Sequence, residues 1–212
     1  MNALPFILSM AGVLAVEAGM RFLHLAPLVL TGFARCVEML VILLVFHRSE
    51  NGLSAIGLSQ QRLIRGIRKG LIWSAGFGAL AGSGGLILFL WGMDPFAFIH
   101  VELPQTRSGV VLFFVVGGVI APVAEEIFFR GVIYGFLRGG VFNGKGRWGI
   151  WPALMISTTL FVMAHQAGPG IPLPQLVGGI VFCLAYEIEK SLFTPIIIHA
   201  LGNLALFTMS CI

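Results

Sequence analysis

Apolar residues fall in long unbroken runs along this chain, without the alternation of a strand or the one-sided stripe of a soluble helix. The runs occupy positions 3–20, 25–46, 71–91, 109–137, 151–164, 176–188 and 192–209. A helix that is apolar all round lies in a core or in lipid. A spanning helix needs about 20 residues, so the pattern predicts an all-α polytopic transmembrane helical bundle of about seven spans. As a helix the fourth run is roughly 44 Å long and must tilt, kink or protrude, with Pro122 the natural kink point.

Polar positions between the runs refine this layout. Arg48, Arg62, Arg65, Arg68 and Lys69 cluster between His47 and Gly70. Leu63, Ile64, Ile67 and Leu71 recur at helical spacing opposite them. This predicts a short amphipathic helix on the membrane surface between spans two and three. A polar loop with Asp94, Glu102, Pro104 and Arg107 follows span three, and a basic, glycine-rich loop covers 138–147. The positive-inside rule assigns both basic loops to the cytoplasm, which places the N-terminus inside and the C-terminus outside. One integrated membrane domain is expected, with N-terminal spans and the basic interfacial segment in 1–108 and a helical core in 109–212.

Composition agrees. Hydrophobic residues make up 58% and charged residues only 10%, where a soluble domain averages roughly 25% charged. Mean hydropathy is +0.97. Disorder, a disulfide scaffold and an ordinary water-soluble globule are excluded. The net charge of +4 suits basic loops against anionic membrane lipids, and no nucleic-acid partner is expected. Three cysteines form no C-x-x-C pair, and Cys36 and Cys183, within apolar runs, read as small buried hydrophobes.

With so few charges, each one inside a span needs a reason. Glu17 and Arg21 lie four apart, and Arg35 and Glu38 three apart, so each pair reads as self-neutralising. His24, His47 and His100 lie in or beside loops and need no function. Run four is different. Adjacent Glu125 and Glu126 point about 100° apart. Glu126 and Arg130, four apart, can pair along one face, while Glu125 has no partner on its own helix and is free to serve as a general base. The competing reading is that this cluster only bonds neighbouring helices. Run five carries Phe161 and His165 on one face, and run seven carries His199 and Asn203 on one face. The spans place Glu125 and His199 near mid-membrane and His165 nearer the outer side. One free carboxylate, two imidazoles and a carboxamide suffice to activate a water and hold an oxyanion. His, His and Glu are also a zinc set, although the H-E-x-x-H helix is absent.

Three motifs in order, Glu125-Glu126 with Arg130, Phe161 with His165, and His199 with Asn203, resemble the CAAX prenyl protease type II and bacteriocin-processing family, also called Abi. Ala121-Pro122, Phe129-Arg130-Gly131 and the stretch from Ser191 to Pro195 extend the likeness. The family consists of intramembrane endopeptidases of the glutamic type. The resemblance implies that Glu125 activates water, His165 assists, and His199 with Asn203 stabilises the oxyanion, while Glu126 and Arg130 support the geometry. It implies no metal cofactor, in keeping with a carboxamide being an uncommon zinc ligand. The chain departs from the family where Gln166 follows His165 and Ala167-Gly168-Pro169-Gly170 follows that.

The expected protein is therefore a multi-pass membrane protein of a prokaryotic plasma membrane. Its expected partners are membrane lipids and a peptide or protein with a hydrophobic, lipidated or sorting-signal segment. The residues do not choose among those substrates and carry no signal of oligomeric state. Two other classes compete: a non-proteolytic scaffold or immunity protein of the same fold, and an ion or proton transporter using Glu125 and Glu126. Inverted repeats, which would favour transport, are not evident. An aspartyl intramembrane protease needs two aspartates, and the sequence has Asp94 alone. A rhomboid G-x-S-G is broken at Ala81 of Ala81-Gly82-Ser83-Gly84.

Overall fold

The computed structural model describes residues 2–96, 101–166, 170 and 172–211; His100 and Ala167-Gly168-Pro169 lie outside the described residues. These residues form an all-helical bundle whose long helices are α1 (Ala3–Met20), α2 (Pro27–His47), α3 (Leu63–Leu90), α4 (Arg107–Val141), α5 (Ile150–Ala164), α6 (Leu173–Glu189) and α7 (Phe193–Met209). Helix ends follow local chemistry. Pro27 opens α2 at a position where its missing N–H costs nothing. Thr106 Oγ1 caps α4 by accepting from the Gly109 N–H at 3.1 Å. Gly92, with φ 75°, terminates α3. Around it the Met93 N–H donates to Leu88 O at 3.0 Å and the Gly92 N–H to Phe89 O at 2.9 Å, the paired bonds of a Schellman stop.

Four stretches are long and apolar enough to cross a bilayer: Ala3–Met20, Pro27–His47, Gln60–Leu90 and Arg107–Val141. Phe193–Met209 is apolar but shorter, and α5 and α6, at 15 and 17 residues, fall below a full span. The bundle's outer surface is apolar: Leu14, Ile64, Leu80, Phe89, Leu90 and Trp91 are all exposed, as lipid-facing side chains should be.

The basic stretch before span three behaves differently from expectation. It does not form a separate surface helix. Two 3₁₀ turns, Gly52–Ile56 and Gln60–Arg62, lead into α3, which then runs unbroken through Arg65, Arg68 and Lys69 into its apolar part. The reason is tertiary. Gly66 and Gly70 let this end of α3 seat directly on the start of α7, where a Cβ on Gly66 would come within 2.3 Å of Ser191 Oγ and one on Gly70 within 2.7 Å of Ile197 Cβ. Thr194 Oγ1 also donates to Gly66 O at 3.2 Å. Close approach at small residues is the usual route to helix association in lipid.

Of the two expected in-helix pairs, Arg35–Glu38 forms and Glu17–Arg21 does not. Glu17 pairs with Arg35 of α2 at 2.8 Å rather than with Arg21, because Arg21 lies past the end of α1 and is exposed. Arg35 therefore bridges Glu17 and Glu38. Cys183 is buried, but Cys36 is exposed on the apolar side of α2.

Inside, Ile42, Phe46, Ile56, Ile127, Val132 and Leu192 form one apolar cluster, and Phe129, Ile133, Phe161, Phe182 and Ile198 form another. The second cluster surrounds the polar groups of α4.

Candidate active site

Pro122 shapes the middle of α4. Proline supplies no N–H and its ring crowds the preceding turn. Ahead of it the helix widens to i→i+5 bonding over Val116–Ile120, with the Ala121 N–H donating to Val116 O. In that register the next carbonyl, Gly117, would look to residue 122 for a donor, and proline has none. Asn203 of α7 fills this role: its Nδ2 donates to Gly117 O at 2.8 Å. After the α-helical turn Ala121–Glu125 the wide register returns over Glu126–Tyr134. Such widened stretches are rare and recur at functional sites.

The two adjacent glutamates enter different surroundings. Glu126 turns inward, and its side chain and that of Arg130 are 0% exposed and paired at 2.8 Å. The Arg130 guanidinium lies over the rings of Phe161 at 4.3 Å and Phe182 at 5.0 Å, and its Nη2 donates to Gly179 O at 3.4 Å. Flat cation faces on two aromatic rings suit a charge held away from water. His199 Nδ1 donates to Glu126 Oε1 at 2.8 Å, and the imidazole stacks on Phe182 at 4.6 Å and 21°. Glu126 thus fixes the orientation of His199, as a carboxylate fixes a catalytic or metal-bound imidazole elsewhere.

Glu125 faces the open side. Its Oε2 is 3.5 Å from His165 Nε2 and 3.8 Å from His199 Nε2. The side chains of Glu125 and His165 keep 14% and 26% exposure, against 6% for His199. The two groups that must meet water or substrate are therefore the open ones. His165, just past the end of α5, turns Nδ1 to Phe161 O at 2.8 Å. A carbonyl only accepts, so Nδ1 carries a proton, and Nε2 is the ring nitrogen turned toward Glu125.

The structure thus brings together Glu125, Glu126, Arg130, His165 and His199 from three helices, and the expected difference in depth between His165 and the others does not keep them apart. Asn203 is placed otherwise: its described hydrogen bond goes to the α4 backbone, not to the cluster. Among the described residues no group of three or more His, Cys, Asp or Glu has the arrangement to hold a metal ion. Phe182, which supports both Arg130 and His199, went unnoticed in the sequence, as did Ser157, whose Oγ donates to Phe129 O at 3.0 Å and ties α5 to α4. Neither stands out from its apolar run, and no local spacing would have found them.

Residues 107–205 match the family model described as type II CAAX prenyl endopeptidase Rce1-like. The membrane-embedded CAAX protease MroQ of Staphylococcus aureus (strain USA300) is 37% identical over 94 residues, which cover 44% of this chain and 36% of that protein. The match therefore spans little more than a third of that relative's length. No solved structure matches. The spanning helices and the membrane-embedded relative make this chain an integral, multi-pass membrane protein.

Proposed function

We propose that this chain, which matches the family model of type II CAAX prenyl endopeptidases over residues 107–205, is an intramembrane endopeptidase of the glutamic type. The observation that carries the reading is the approach of Glu125 Oε2 to His165 Nε2 at 3.5 Å and to His199 Nε2 at 3.8 Å on the open side of a sealed ion pair.

In this mechanism a water donates to Glu125 and His165, one of which takes its proton as the oxygen attacks the peptide carbonyl. The developing oxyanion needs N–H donors. His199 serves with the Nε2 side of its ring, and Asn203 with the amide N–H that Gly117 does not use. The proton taken from water passes to the departing amine. The chain's own groups supply base, counter-charge and oxyanion donors, so no step is assigned to a metal. A peptide with a hydrophobic or lipidated flank suits a site reached within an apolar bundle.

The test uses purified protein in lipid vesicles and a library of quenched fluorescent peptides with apolar or prenylated flanks. Wild type is expected to cleave, with activity unchanged by chelators, and Glu125→Gln to lose cleavage by at least about 10³-fold while keeping its melting temperature. Equal rates for Glu125→Gln and wild type would overturn the assignment, and chelator-sensitive cleavage would overturn its metal-free form.

A further inference from the structure

Away from the α4 cluster, where the basic start of α3 meets the end of α6, lies a cavity of about 210 Å³. Its charged lining is one-sided, with Arg62, Arg65, Lys69 and Lys190 against a single carboxylate, Glu189, and Lys190 Nζ turned to Glu187 at 2.8 Å outside the lining. That carboxylate is already engaged, by Lys69 Nζ at 3.5 Å and by Trp73 Nε1 at 3.3 Å. Arg62 donates to Lys190 O at 2.5 Å, which draws two basic residues to one rim and holds Lys190 in its left-handed conformation, φ 52°. Arg65 is exposed, with no described ion pair or hydrogen bond. Ser191, also in the lining, is buried, and its Oγ has no hydrogen-bond partner among the described residues.

Clustered cations around a cavity, with an unused hydroxyl in its wall, form a receptor for a compact anion bearing several acceptor oxygens. The neighbouring surface names its source. Ile188, in the lining, is exposed, and one turn further along α3 from Lys69 the exposed Ile72 continues the face of Arg65 and Lys69 into the apolar part of that helix. A ligand held here by its anionic head has an apolar surface beneath it for acyl chains. Basic pockets between spanning helices at a membrane face are the general form of phospholipid headgroup sites. We propose that this cavity binds the phosphate headgroup of an anionic phospholipid.

Arg68 supplies the control. It sits on the same helix and is equally basic and exposed, but it does not line the cavity. Phosphatidylglycerol, phosphatidylcholine and inorganic phosphate would be titrated separately into the full chain in neutral detergent, with bound ligand counted by native mass spectrometry. Phosphatidylglycerol is expected to saturate one tight site, Arg65→Gln to weaken that site about fivefold, and Arg68→Gln to leave it unchanged. Equal weakening by the two variants, or equal binding of phosphatidylcholine, would show only diffuse attraction and overturn the proposal. Binding of inorganic phosphate as tight as that of phosphatidylglycerol would assign the cavity to a soluble anion and overturn the lipid assignment.

Discussion

Arg130→Met removes the cation from a pair that has no access to solvent. Glu126 and Arg130 are both 0% exposed, so solvent does not screen what is lost. Glu126 would keep only the His199 Nδ1–H at 2.8 Å, and leaving a buried charge without its partner costs about 3–5 kcal/mol. The loss of the guanidinium from the faces of Phe161 and Phe182 is part of that figure. Against a total stability of roughly 5–15 kcal/mol, the variant is close to unfolding. Thermal unfolding in detergent reads the effect directly. At about 2–4 °C per kcal/mol for a chain of this size, the midpoint should fall by on the order of 10 °C. Adding Glu126→Gln removes the stranded charge, while the glutamine Oε1 still accepts from His199 and methionine fills the space between the rings. The double variant should recover most of the stability, because a buried pair replaced on both sides is often near neutral. Arg130→Lys should fall between, since a compact ammonium cannot lie flat on two rings and still reach Glu126. A double variant no more stable than Arg130→Met would refute the buried-charge argument, as would a single variant losing less than about 1 kcal/mol.

Phe182→Leu removes the ring stacked on His199 at 4.6 Å and one face of Arg130; kcat for peptide cleavage should fall by about tenfold, the equivalent of a lost aromatic contact, with KM little changed. Gly70→Val would press a branched side chain onto Ile197, and overpacking of about 1–3 kcal/mol should show as a lower unfolding midpoint. Asn203→Ala should lower kcat by about 10²–10³, the effect of losing one oxyanion donor, measured with the same peptide.

Relations within one helix were legible in the sequence. A four-residue step fixes direction without reference to any neighbour, so the Glu126–Arg130 pair and the separate direction of Glu125 followed from helix geometry alone. The long apolar runs likewise mark the helices, because lipid imposes one composition on whatever faces it. Relations between helices were not legible. Glu17 lies four residues from Arg21, yet its partner is Arg35, set by how α1 and α2 lie together. The continuation of α3 through its basic end depends on two glycines meeting Ser191 and Ile197, and glycines elsewhere on α3, such as Gly76 and Gly78, meet nothing. The wide register of α4 is prompted locally by Pro122 but completed by a side chain from another helix.

That last relation explains why position 203 carries a carboxamide. In the wide register ahead of Pro122, the half-buried Gly117 carbonyl faces a residue with no N–H, and a carbonyl shut off from water without its donor costs up to about 1–3 kcal/mol. Asn203 reaches it at 2.8 Å from the helix that also carries His199. An ionised aspartate would accept where a donor is needed, and a serine would spend its one O–H on Gly117. An amide nitrogen has two N–H bonds, so it can close the backbone gap and still present a donor to a developing oxyanion. The bond to Gly117 also ties α7 to α4 one residue beyond the wide turn's start and eight before Glu125. The distance between Glu125 and His199, on which the proposed chemistry depends, is thereby held from both ends: by Glu126 on His199 inside the site and by Asn203 on the backbone that leads into it.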